Sequence, residues 1–328
     1  MVWRGAAGWA EWSPFLDYDG PELVPWLRAA DEAADLGWPT ALRARIPVNV
    51  TIPAVGPEQV AALTLAAGCR TAKIKVAEAG QTLADDLSRV EAVRSALGSG
   101  CSTAKVKVAD PGLPLADDLA RVEAVRDALG PAGRVRVDAN GAWDVEQAET
   151  AIRQLARFGL EDVEQPCRTV EELAELRIRL ARNGIDVLIA ADESIRRAED
   201  PYRVAELEAA DVAVLKVQPL GGVRACLEIA ERIGLPVVVS SALETSIGIR
   251  AGVALAAALP DLPFACGLNT VALLADDLVR NPLLAVDGVL DVRGLVVDKE
   301  ALLRNRAGED DQAFWQSRLM RTRRLADG

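Results

Sequence analysis

The 328-residue chain contains no histidine. That absence removes the commonest general base and the commonest ligand of zinc, so any metal bound here must accept oxygen donors, which favours magnesium or manganese. Cysteine is scarce and odd in number. Cys69, Cys101, Cys167, Cys226 and Cys266 form no CxxC pair and read as small buried hydrophobes rather than catalytic groups. There is no Walker A motif and no GxGxxG in a βαβ setting, so nucleotide binding has no support. No apolar run approaches the ~20 residues needed to span a bilayer, and no basic, apolar and cleavable leader opens the chain, so a cytoplasmic location is expected. Basic excess is missing as well. A formal charge of -12 would repel phosphate backbones and anionic membrane surfaces, which argues against nucleic acid and membranes as partners and for a small-molecule substrate.

What is present is a core-forming composition, 50% hydrophobic, in a length that suits one large barrel or two domains. Residues 1–45 stand apart: they hold five of the seven tryptophans, Trp3, Trp9, Trp12, Trp26 and Trp38, among prolines and acids. From Pro47 to about residue 270, strand and helix patterns alternate, beginning with VNVTIPAV and PEQVAALTLAAG and ending at FACGL. In DVEQAETAIRQLARF the apolar positions Val145, Ala148, Ile152, Leu155 and Phe158 recur at helical spacing. Asp144 with Gln147, and Thr169 with Glu172 before the next helix, read as capping boxes.

A direct repeat interrupts this alternation. Cys69 to Gly100 is followed at once by a second copy, CSTAKVKVADPGLPLADDLARVEAVRDALGPA, identical at 22 of 32 positions. Each copy holds one strand and one helix, with Leu83, Leu87, Val90, Val93 and Leu97 as the apolar ridge of the first. A closed eight-stranded barrel links strand number to shear and tilt, so one copy is expected inside the barrel and the other outside it. The second copy runs through a short GPAG turn into RVRVDANGAW and is preferred for the inside position. The first copy follows its upstream helix just as directly, so the choice stays open.

Polar residues close successive β-branched runs: Lys105 with Lys107, then Asp138, Glu164, Asp192 and Lys216. Parallel strands of a (β/α) barrel project their C-terminal side chains into one mouth, so these residues are expected to converge. Three carboxylates flanked by lysines suit a divalent oxygen-ligated cation beside a proton-transferring base, although a single acid at a strand end is more often a helix cap. A KxK pair on a strand faces one side, and neighbouring ammonium groups lower one another's pKa towards a working base. Lys73 and Lys75 repeat that pattern. Asn140, Gln165 and Ser194 could support the ligands. Gly221 and Gly222 read as a tight turn or as amides offered to an anion. Ser240, Ser241 and Glu244, with Gly267 and Leu268, end the last two strands and are expected to line the mouth. The arginines of SRLMRTRRL read as a solvated helical face.

The ordered set KVKV, VDANGAW, VEQP, ADES, LKVQPLGG and SSALETSIG resembles the enolase superfamily, and within it the o-succinylbenzoate synthases of menaquinone biosynthesis. The similarity runs from GWAEWSPF through most of the chain. It implies a modified TIM barrel with an N-terminal α+β capping domain, here shortened to residues 1–45, a barrel over 46–270, and residues 271–328 returning to the cap. It implies Mg²⁺ (or Mn²⁺) held by Asp138, Glu164 and Asp192, Lys107 as acid and base, Lys105 as electrostatic support, and Lys216 facing an enediolate from the opposite side. The implied substrate is a small carboxylate, 2-succinyl-6-hydroxy-2,4-cyclohexadiene-1-carboxylate, which loses water. Racemisation of N-succinylamino acids is a related activity, and a silent barrel is the reading from a different class.

Overall fold

A computed structural model describes residues 1–76, 80–97, 103–110, 113–131, 133–197 and 200–327. Near the N-terminus, β1 (Val2–Arg4) and β2 (Trp9–Glu11) form an antiparallel pair, followed by α1 (Leu23–Asp31). β3 (Arg45–Pro47) leads into a parallel sheet of eight strands in chain order: β4 (Val50–Ile52), β5 (Thr71–Ile74), β6 (Thr103–Lys107), β7 (Arg134–Asp138), β8 (Leu160–Glu164), β9 (Leu188–Ala191), β10 (Val212–Lys216) and β11 (Val237–Ser240). Helices that link these strands cover the outside: α2 (Pro57–Ala67), α3 (Leu83–Leu97), α4 (Leu115–Leu129), α5 (Val145–Leu155) and α6 (Val170–Arg182). They are followed by the short α7 (Glu193–Arg196) and α8 (Arg203–Glu206), then α9 (Val223–Ile233) and α10 (Ser246–Ala258). Both expected capping boxes are formed, at the starts of α5 and α6. Cys69, Cys167, Cys226 and Cys266 are buried; Cys101 lies outside the described residues.

The ring is closed by a short stretch rather than a full strand. Gly267 bridges Ser240 at the end of β11, and Cys266 bridges Val48 just ahead of β4. Both copies of the repeat therefore lie in the sheet, against the expectation that one would stay outside. β5 pairs β4 on one side and β6 on the other, with Lys73 opposite Lys105, and β6 pairs β7 with Lys107 opposite Asp138. The physical reason is that each copy carries a complete outward face for the helix layer: Ala72 and Ile74 in one, Ala104 and Val106 in the other, all fully buried. Extruding either would expose that face together with Val90 and Val93 or Val122 and Val125.

One strand more than eight widens a barrel, because diameter grows with strand number. Long polar side chains fill the added space. Arg136 reaches Glu161 at 2.6 Å and Asp162 at 3.2 Å, and its guanidinium lies 5.2 Å from the Phe264 ring centre. A bulge at Glu161, where Val135 pairs Leu160 but Arg136 pairs Asp162, delivers both acids to that arginine. The helix layer over the two copies also holds buried charge. In α3, Leu83 is exposed and Leu87 half-buried, whereas Asp86 and Arg89 are buried. Asp86 accepts from Arg89 at 2.9 Å and from Arg121 of α4 at 3.1 Å, so the apolar ridge read from the sequence is only half of the buried face.

A second, smaller core holds the N-terminal segment against the chain's last helix. After β12 (Val289–Asp291), which pairs β3, come α11 (Lys299–Arg304) and α12 (Glu309–Asp327). Trp12, Tyr18, Trp26 and Leu27 pack with Trp315 and Leu319 of α12. Here the solvated-face reading fails for Arg318. It is buried at 4% exposure, donates to the carbonyls of Pro14 (3.1 Å), Phe15 (2.8 Å) and Tyr18 (2.5 Å), and lies over the Trp315 ring. The guanidinium satisfies a loop whose carbonyls no helix or sheet would otherwise pair.

Candidate active site

The strand ends meet in a cavity of about 170 Å³ at the C-terminal face of the barrel. In ring order its walls carry Lys75, Lys107, Asp138, Glu164, Asp192 and Lys216, each from the next strand of the sheet or the loop directly after it. Period-two alternation places Lys73 and Lys105 one layer deeper, where both also line the barrel interior.

Lys105 is the hub of the carboxylates. Its ammonium lies 3.2 Å from Asp138 and is bonded to Glu164. Burial disfavours its charge, but the two acids outweigh burial and hold the lysine protonated well above the usual range. Burial likewise opposes the charge on Asp138, and Lys105 with Lys73 overcomes it, so Asp138 stays ionised. Glu164 goes the other way: burial, backed by the nearby charge of Asp138, raises it to about 7 despite Lys105. The lysine depression expected from crowding falls on Lys73, lowered to about 8 by Lys105 first and burial second.

Across the mouth, Lys216 donates to Asp192 at 2.6 Å, and Arg196 holds the other oxygen of Asp192 at 3.0 Å. These two cations overcome burial and keep Asp192 below the ordinary carboxylate range. Gln165, fully buried, accepts from the backbone amides of Asp192 and Ser194 and donates to the Ser194 hydroxyl, fixing the turn that presents Asp192. Asn140 sits beside Glu193, donating at 3.4 Å.

The donor set suits a hard divalent cation: three buried carboxylates on consecutive βα units, with the Lys105 ammonium already held as a cation between two of them. Among the described residues the three do not close on one point, since Asp192 is drawn to Lys216 and Arg196.

On the remaining wall, Ser240 and Gly267 line the barrel interior, and the Ser241 hydroxyl lies 2.9 Å from that of Thr270. The side chain of Leu268 is fully buried, packed against Gly252 of α10, and Glu244 is buried with its Oε2 accepting from the Ala242 amide. Gly221 and Gly222 form a tight turn with φ of +91° and +122°. The amides beyond it are taken by Glu32 from the N-terminal segment, at 2.5 Å from Val223 and 3.2 Å from Arg224.

The sequence offered either KxK pair for the mouth, and the structure places both there. Two further contributors were missed. Arg196 was visible as a residue four positions after Asp192 on a helix start, but nothing local marked it as a ligand clamp. Tyr18, which receives a hydrogen bond from Arg196, carries no sequence signal at all; only the folded cap brings it there.

Comparison with known proteins agrees with this geometry. Residues 99–296 match the family model described as enolase C-terminal domain-like, and residues 1–34 match that described as enolase N-terminal domain-like. The o-succinylbenzoate synthase of Thermobifida fusca (strain YX) is 55% identical over 323 residues, covering 98% of this chain and 89% of that protein. The chain belongs to the o-succinylbenzoate synthases of the enolase superfamily. A second member of that family, from Mycolicibacterium smegmatis (strain ATCC 700084 / mc(2)155), is 47% identical over 317 residues, covering 96% of this chain and 86% of its own. Among solved structures, the muconate lactonizing enzyme from Pseudomonas putida superposes with a TM-score of 0.66 at 27% identity, covering 88% of this chain and 75% of that one. The chain is accordingly a modified TIM barrel with a capping domain, its parallel strands following one another round the sheet in chain order.

Proposed function

We propose that this synthase-family chain dehydrates 2-succinyl-6-hydroxy-2,4-cyclohexadiene-1-carboxylate to 2-succinylbenzoate, with Mg²⁺ as its cofactor, as a step of menaquinone biosynthesis in the cytoplasm. The observation that carries the reading is the ring of lysines and carboxylates at one barrel mouth, in a family member 55% identical to a named synthase. Asp138, Glu164 and Asp192 are the residues that would hold the ion. When bound, it supplies Lewis-acid stabilisation of charge developing on the substrate carboxylate.

The chain's own residues divide the remaining work. Lys107, opposite Asp138 in the sheet register, lines the mouth without a carboxylate partner among the described residues and is free to take the proton from the carbon bearing the carboxylate. The electron pair then delocalises into that carboxylate as an enediolate. Lys105, held protonated, and Lys216 on the opposite side stabilise it electrostatically. The bond from the neighbouring carbon to its hydroxyl breaks, and the proton on Lys107 leaves with that hydroxyl as water. Aromatisation of the ring drives the step. Tyr18 and Arg196 hold the N-terminal segment against the mouth, which helps to exclude bulk water.

The partner in this reading is a small carboxylate, with no nucleic acid and no membrane. Among the described residues, no helix is long and apolar enough to cross a bilayer. The test is purified protein with Mg²⁺ and the cyclohexadiene substrate, followed by loss of its absorbance, with an EDTA-treated control and a parallel polarimetric assay of N-succinylamino acid racemisation. Metal-dependent dehydration faster than racemisation supports the synthase; racemisation alone would transfer the assignment to that activity.

A further inference from the structure

Five of the six lysines in this chain, Lys73, Lys75, Lys105, Lys107 and Lys216, line the mouth; the sixth is Lys299. With Arg196 they bring six cationic side chains against four carboxylates, Asp138, Glu164, Asp192 and Glu193, in a protein whose net charge is -12. The carboxylates are taken up by Lys105, Lys216 and Arg196. Among the described residues, Lys73, Lys75 and Lys107 have no acidic partner within 4.0 Å, and all three are half-buried, so water solvates their charge less fully than at an open surface. Lys107 has a role in the proposed reaction. Lys73 and Lys75 have none; they are one of two KxK pairs that the repeated βα unit brings to the mouth.

We propose that Lys73 and Lys75 form an additional anion subsite that holds the distal carboxylate of a dicarboxylate substrate. Identifying that carboxylate as the end of the succinyl chain rests on the synthase reading; the anion subsite itself does not. Position supports it. Asp138 is the first of the three carboxylates met from the lysine side of the ring, Lys107 lies opposite it on β6, and Lys75 follows β5, one strand further round. Two strand spacings are roughly 10 Å, a span that a four-carbon succinyl arm and a flexible lysine stem can bridge. Backbone contacts fix the strand end as well: the Lys75 amide donates to Ile52 at 2.8 Å, and its carbonyl accepts from the buried Arg89 at 2.7 Å. Among the described residues, the ammonium of Lys75 has no acidic partner within 4.0 Å, while its backbone is anchored on both sides.

The test compares a dicarboxylate with a monocarboxylate on the full-length protein in Mg²⁺. Binding of 2-succinylbenzoate and of benzoate is measured by titration calorimetry for wild type, Lys75→Gln and Lys73→Met, with circular dichroism to confirm folding. Lys75→Gln provides the answer if the deeper Lys73→Met fails to fold. The expected result is an approximately ten-fold or greater loss of affinity for 2-succinylbenzoate in Lys75→Gln, less than two-fold for benzoate, and a kinetic loss that falls mainly on KM. Equal weakening of both ligands, or affinity and KM within two-fold of wild type, would overturn the subsite. So would a collapse of kcat at unchanged affinity, which would make Lys75 the proton-transferring lysine. A wild type that shows the binding split but no dehydration would reject the synthase reading and leave the subsite standing; dehydration without the split would do the reverse.

Discussion

Asp86→Ala probes whether both copies of the repeat belong to one barrel. Asp86 is 2% exposed and receives two charge-assisted hydrogen bonds, one from Arg89 in its own helix and one from Arg121 in the other copy. Removing it leaves the buried Arg89 without its carboxylate and Arg121 with only Asp118, at 3.7 Å. Each such bond contributes about 1.5–3 kcal/mol, and breaking a buried pair from one side costs about 3–5 kcal/mol, so a loss of about 3–5 kcal/mol is expected. The equivalent residue of the second copy provides an internal control. Asp118 accepts one amide hydrogen bond, from Ala109 at 2.8 Å, and reaches Arg121 only at 3.7 Å, so Asp118→Ala should cost clearly less. Urea unfolding of both variants, with Arg121→Ala and the Asp86/Arg121 double variant, completes a cycle. A coupling energy of about 1–3 kcal/mol between Asp86 and Arg121 is expected. Zero coupling, with equal costs for Asp86→Ala and Asp118→Ala, would mean that α3 and α4 do not pack side by side and that one copy lies outside the barrel.

Two further outcomes follow from buried polar groups. Arg318→Ala removes the guanidinium from three carbonyls of the 14–18 loop, of which, among the described residues, only that of Phe15 keeps another donor, the Tyr18 amide at 3.3 Å, and should lower stability by about 3 kcal/mol; because that loop carries Tyr18, kcat/KM should also fall, while Arg324→Ala on the exposed side of α12 should change neither. Glu244 is raised from 4.5 to about 8, by burial first and the Glu11 charge second. Its folded pKa lies above the unfolded one, so between about pH 4.5 and 8 the folded chain holds a proton that the unfolded chain has released. That contribution to stability is complete below the unfolded pKa and fades as pH rises through 8. Glu244→Gln keeps the acceptor for the Ala242 amide and removes the titration, so the melting temperature of the wild type should fall relative to the variant between pH 6 and 8.5. Parallel melting curves for the two proteins across that range would refute the assignment.

Much of the site was legible because barrels convert sequence order into ring order. A polar residue ending each apolar run was enough to gather Lys105, Lys107, Asp138, Glu164, Asp192 and Lys216 at one mouth, and hydrogen bonding that is local in sequence made the Asp144 and Thr169 caps readable. Strand pairing is not local. The periodicity of AKIKV and AKVKV identifies two strands but not their neighbours, and eight-strand closure does not bar another member from a ring whose interior can be filled by Arg136, Asp162 and lysine stems. The buried charges were hidden for a similar reason. Asp86 and Arg318 look like solvent-facing residues on their helices until another helix or loop, far away in sequence, covers them.

The most direct measurement is the steady-state rate at which wild type and Lys107→Ala form 2-succinylbenzoate from the cyclohexadiene carboxylate, with product identified by mass spectrometry. Metal-dependent turnover by the wild type, reduced about 10²–10⁴-fold in a folded Lys107→Ala protein, is the expected result. A folded wild type that forms no product, or a Lys107→Ala variant as fast as wild type, would contradict it.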